Sequence, residues 1–99
     1  MSDNFSQAEM EHLTSLRFMN KIDDHLFVVS SIAISELGLD VPQKISLILN
    51  VFYDGEPIEN LSFDLKNYSY EEIIKIAGNL KQNEFILYEI DNLLAGEIE

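Results

Sequence analysis

An α+β fold is predicted by three features of the sequence. A capping box opens a run with apolar residues every three positions near the start. A stretch of alternating apolar residues, broken by Asp-Gly, fills the middle. A second capping box then opens a run with apolar residues at spacings of three and four. The expected architecture is a small antiparallel hairpin or sheet packed against an N-terminal helix or helices and a long, kinked C-terminal helix. The chain has 99 residues, enough for one domain spanning 1–99, with residues 1–4 frayed.

In "FSQAEM", Ser6 and Glu9 form the first box and Phe5 can staple onto Met10. Met10, Leu13, Leu16 and Met19 follow at a spacing of three, so the helix is expected to run to residue 20 or 21. Residues 24–38 carry conflicting signals. Val28, Val29, Ile32 and Ile34 favour a strand. Length favours a helix, as do Asp24 as its cap, Gly38 at its end and Pro42 beyond. A helix is the preferred reading, and a strand would enlarge the sheet without changing the class. "KISLILNVFY" places Ile45, Leu47, Leu49, Val51 and Tyr53 on one face, with Ile48 and Phe52 on the other. Asp54–Gly55 is the turn, and Leu61, Phe63 and Leu65 alternate inward over 60–65. Ser69 and Glu72 form the second box. Ile73, Ile76, Leu80, Asn83, Leu87, Ile90 and Leu94 then trace a heptad seam, with Gly78 as the expected bend. Leu80, Asn83, Leu87, Ile90 and Leu94 are the candidate interface of a homodimer, with the polar Asn83 setting register.

Composition limits the function. There are 18 Asp and Glu against 6 Lys and Arg, a net charge of −12. That charge opposes direct binding of nucleic acid or anionic lipid and favours a basic protein partner. Cysteine is absent, which excludes disulfides and thiol catalysis. The N-terminus lacks the basic and apolar regions of a secretory signal, and "HLFVVSSIAISELGL" is too short and polar to span a bilayer, so a soluble cytoplasmic protein is expected.

No catalytic motif, metal cage or phosphate loop stands out, and neither an enzyme nor a cofactor is expected. His25 beside Asp23 and Asp24 reads as a surface histidine after a helix cap, and His12 as part of a solvated helix face. The more informative stretch is "YDGEPIENLSFDLKNYSYEE". Asp54, Glu56, Glu59, Asp64, Glu71 and Glu72 extend from a turn, along a strand, to a helix start, with Tyr53, Tyr68 and Tyr70 among them. Spaced carboxylates of this kind can fill a groove built for phosphates, and the tyrosines supply rigid contact area. A solvated rim is the competing reading.

In size and composition, though in no motif, the chain resembles two broad groups. One is the phage inhibitors that imitate nucleic acid to block restriction or CRISPR machinery. The other is the immunity proteins and antitoxins that neutralise basic nucleases. That resemblance implies an inhibitor of a nuclease or nucleic-acid-binding complex. An acidic dimeric chaperone or adaptor, holding a polypeptide on apolar helix surface, is the alternative.

Overall fold

A computed structural model describes residues 5–35, 44–65 and 68–98. The first helix, α1, spans Gln7–Ser15. Its capping box is formed as the sequence predicts: the Glu9 N–H donates to Ser6 Oγ at 3.2 Å, and the Ser6 N–H donates to Glu9 Oε1 at 2.9 Å. The helix ends five residues earlier than its apolar spacing predicts. In the last turn, Thr14 Oγ1 donates to the Met10 carbonyl and Ser15 Oγ to the His12 carbonyl. Leu16 is already extended, and the Arg17 guanidinium donates to the carbonyls of Thr14 and Leu16. Side chains thus satisfy carbonyls that a longer helix would use itself.

Strand β1, Arg17–Lys21, occupies the residues expected to finish that helix. Met19, predicted to lie on the buried helical face, is instead 73% exposed. The helix preferred for 24–38 is also corrected. Residues Leu26–Ser35 form β2, with Leu26, Val28, Ser30 and Ile32 buried at a period of two. The β-branched residues prevailed because a strand lies on either side of β2 to pair with. Asp23, rather than Asp24, organises the entry: its carboxylate accepts from the N–H groups of His25 and Leu26 at 2.8 and 2.9 Å, forming a turn instead of a helix cap. The expected roles of Gly38 and Pro42 fall outside the described residues.

Strand β3 spans Lys44–Tyr53 and β4 spans Glu56–Asp64. Asp54 and Gly55 join them with φ of 52° and 83°. Both turn residues are left-handed, as the tight hairpin loop requires of an Asp-Gly pair. Strand β4 begins at Glu56 rather than near residue 60 because the pairing steps from Val51↔Glu59 to Phe52↔Pro57. Ile58 is the extra residue of that bulge. Pro57 is tolerated there because β4 is an edge strand and Pro57 adjoins the irregularity.

The sheet is an antiparallel meander ordered β1-β2-β3-β4. Its inward rows join Leu13 of α1 and the buried residues of the C-terminal helices in one core. Helix α2, Tyr70–Gly78, starts at the Ser69–Glu72 box. A single 3₁₀ turn at Leu80–Gln82 separates it from α3, Glu84–Ile98. The bend expected at Gly78 is therefore the end of one helix. Asn83 starts the next, its side-chain oxygen accepting from the Ile86 N–H at 3.1 Å. Leu80 and Ile90, proposed for a dimer seam, are fully buried in the chain's own core, while Leu87 and Leu94 are half-buried.

Candidate binding edge

Strand β4 carries Glu56, Glu59 and Asp64 and no basic residue. It is an edge strand, with β3 on one side only. The Leu65 N–H donates to the Ile45 carbonyl at 2.8 Å, which fixes the phase of the ladder. By alternation, the backbone N–H and C=O groups of Asn60, Ser62 and Asp64 point away from β3, to the side that no described strand occupies. Their side chains project from the outer face of the sheet, while those of Glu59, Leu61 and Phe63 project from the helix side. Glu59 and Asp64 thus sit on opposite faces of one strand. Glu56 and Asp64 are about 26 Å apart along it, at roughly 3.3 Å per residue.

The two ends of β4 differ. At the Glu56 end, the hairpin tip is fastened to the β1–β2 turn. The Asp54 N–H donates to the His25 carbonyl at 2.7 Å, and His25 Nδ1 lies 2.5 Å from Asp54 Oδ1. The His25 ring stacks on Tyr53 with centroids 6.0 Å apart. The hydrogen bond to Asp54 and then that carboxylate's charge raise the His25 pKa, with a smaller contribution from Asp23 and opposition from desolvation. Asp23 and Asp24, both exposed, belong to this same end, where Lys21 meets Asp24 at 3.5 Å. The acidic tip is therefore built from two turns far apart in sequence.

At the Asp64 end, a hollow of about 330 Å³ lies between β4 and α3, with Phe63, Leu65, Tyr68, Ile76 and Phe85 among its lining residues. Tyr68 is 44% exposed and Phe85 63%, and Phe85 meets Phe63 edge-on at 5.9 Å. The remaining candidate residues lie on α2. Glu71 is exposed in its first turn. Glu72 is engaged by its cap, and the Ser69 N–H it accepts lowers its pKa. Tyr70 is half-buried between the helices, its hydroxyl bonded to His12 Nδ1 and its ring 6.4 Å from Phe5.

The structure thus gathers Asp54, Glu56 and Tyr53 at one end of β4, and Asp64 and Tyr68 at the other, with Glu59 between them. Tyr70 and Glu72 serve the packing and capping of α2. Sequence reasoning missed three participants. His25 and Phe85 join through tertiary contacts that no local pattern encodes, and Asp23 was read only as a neighbour of a helix cap. Among the described residues, no group of three His, Asp or Glu is arranged to hold a metal ion. No helix among them is long and apolar enough to cross a membrane. Compared with known proteins, the chain matches no family model, no curated sequence and no solved structure.

Proposed function

We propose that this chain is a binding protein that acts by occupancy, laying its acidic β4 edge into a basic groove on another protein and displacing the nucleic acid that the groove serves. One observation carries the reading: β4 bears three carboxylates and no base at a sheet edge with no described strand beyond it, with an acidic tip at one end and a hollow holding Tyr68 and Phe85 at the other. Carboxylates set along a rigid strand can pair with Arg and Lys side chains arranged for phosphates. Tyr68 and Phe85 add apolar area that bulk charge alone lacks.

The test is competition. A basic nucleic-acid-binding protein captured from the host should lose labelled DNA or RNA as this chain is added. Each exposed ion pair contributes only about 0.2–1 kcal/mol, so single changes should matter little. Changing Glu56, Glu59, Asp64 and Glu71 together to lysine should abolish competition while the chain stays folded. Competition should also weaken as salt rises. Undiminished binding by the quadruple variant would reject the reading.

The exposure of Phe85 and Tyr88, each 63%, favours a second reading in which an apolar α3 surface holds a partner polypeptide. That contact would persist at high salt and would be lost on Phe85→Glu with Tyr88→Glu.

A further inference from the structure

The sheet has a second face. All the buried residues of its strands lie in the rows that face the helices. The opposite rows contain no buried residue among those described. They mix serine, asparagine and charged residues with large apolar ones. Met19, Phe27, Val29, Ile48 and Phe52 form a continuous apolar patch across β1, β2 and β3: Met19 pairs with Val29, Phe27 with Phe52, and Ile48 lies one step along from Val29's partner, Asn50. Charge on this face also departs from the rest of the chain. Strand alternation puts Arg17, Lys21 and Lys44 on it, three of the protein's 6 basic residues, against one acid, Asp64, although the Arg17 guanidinium turns back to the Thr14 and Leu16 carbonyls and Lys21 meets Asp24.

We infer that this face is where a second copy of the chain docks, sheet against sheet, about a two-fold axis parallel to the strands. The inference does not rest on the function proposed for the β4 edge, though the two share Asp64, which the dimer places beside Arg17 of the second copy while Glu56 and Glu59 stay outside it. Two copies of a chain with net charge −12 repel one another over most approaches. Here they can meet with few carboxylates opposed and with Phe27 set against Phe52 of the second copy. The charges also select the axis. A two-fold parallel to the strands lays β1 over β4 of the second copy and β2 over its β3. Arg17 then faces Ser62 of the second copy, one step along its face from Asp64, and Met19 faces Asn60. A two-fold across the strands would lay β1 on β1 and oppose Arg17 to Lys21. Four strands spaced about 4.8 Å apart give a face about 19 Å wide, and its ten-residue central strands run about 33 Å. Two such faces bury on the order of 1,000 Å² together, the lower bound for specific association.

Light scattering on the full chain at roughly 100 μM, a range suited to an interface of that size, should give twice the 11.4 kDa chain mass. Met19→Glu, at an exposed position, should weaken dimerisation at least tenfold with an unchanged circular dichroism spectrum. The axis is tested by cross-linking with a short bismaleimide, since the chain has no thiol of its own. Met19→Cys combined with Asn60→Cys should cross-link into dimers, whereas Met19→Cys alone should not. Within one chain those positions lie three strands apart. A monomer at that concentration overturns the inference. So does a dimer indifferent to Met19→Glu but dissociated by Leu87→Glu, which would put the second copy on α3. Efficient cross-linking of Met19→Cys alone overturns the axis. The cross-linking result also decides the matter should Met19→Glu fail to fold.

Discussion

The two edge strands of this sheet are opposites. Strand β1 is five residues long, carries Arg17 and Lys21 and no acid, and is stitched to the helical layer by buried hydrogen bonds. Strand β4 is nine residues long, carries three acids and no base, and is joined to the core by Leu61 and Phe63. An exposed edge invites pairing with another chain, and each strand is protected differently. Brevity and anchoring protect β1. Charge, Pro57 and a bulge protect β4. The same carboxylates that keep β4 from pairing with its own kind leave it suited to a basic partner. In so acidic a chain, the position of its few bases says more about geometry than the count of its acids.

Removing the anchor of β1 should have the largest effect. Asn20 donates to the Ala77 carbonyl at 3.2 Å and to Ser30 Oγ at 3.4 Å, and its oxygen accepts from the Leu80 N–H at 3.4 Å. Ser30 Oγ also donates to the Ala77 carbonyl at 2.6 Å. This small network ties β1 and β2 to the break between α2 and the 3₁₀ turn. Asn20→Ala leaves the Leu80 N–H without that acceptor in a dry site, a cost of about 1–3 kcal/mol in urea denaturation. Hydrogen exchange should accelerate in β1 and around Leu80 far more than in β4. Equal acceleration in both strands would mean that the edges are not independently held.

Loss of the α2 cap should come next. Ser69→Ala removes the acceptor of the Glu72 N–H and should cost about 1 kcal/mol, read in the same experiment. Gly78→Ala should do least. Gly78 lacks a positive φ, and a methyl group there would meet the Phe18 ring at an ordinary 3.5 Å. The expected change is within about 1 kcal/mol, neutral or stabilising, because alanine is the better helix former.

These sites also mark what the sequence reveals. Both capping boxes were legible because their hydrogen bonds are local, as was the Asp54–Gly55 turn. Residues 17–35 were not. Met10, Leu13, Leu16 and Met19 keep helical spacing past the real end of α1, and only pairing with β2 shows that Met19 faces out. The strand character of β2 lay in its β-branched residues, but it is decided by pairing with β1 and β3 on its two sides, which no local pattern shows. Part of the acidic edge was legible: Asp54, Glu56, Glu59 and Asp64 could be placed on a turn and a strand. Its halves could not be told apart, because alternation around a bulge decides which acid faces which side. The hollow beside Tyr68 depends on Phe85, twenty-two residues beyond Phe63, and has no sequence signature.

The fastening of the hairpin tip sharpens the comparison of the edges by pH. His25 belongs to the turn that follows β1 and Asp54 to the turn that precedes β4, so their contact joins the loops of the two edges. Its hydrogen bond to Asp54 raises the folded-state pKa of His25 above the ordinary value near 6.5. A group whose pKa is raised by folding binds its proton more tightly in the folded state. Its contribution to stability is therefore complete below the unfolded value and fades as pH rises through the folded value. Nuclear magnetic resonance titration of the His25 ring protons should show a midpoint above that of a model peptide. Asp54→Asn should return it toward the peptide value without breaking the turn, because asparagine tolerates the φ of 52° at that position. The melting temperature of the parent should fall as pH rises from about 6.5 through the raised His25 midpoint, and the variant's should change less. A His25 midpoint at or below the peptide value would mean that the Asp54 N–H to His25 carbonyl bond and the stacking of His25 on Tyr53 hold the two turns without the imidazole–carboxylate contact. The acidic tip would then keep its shape at every pH at which a basic partner could bind it.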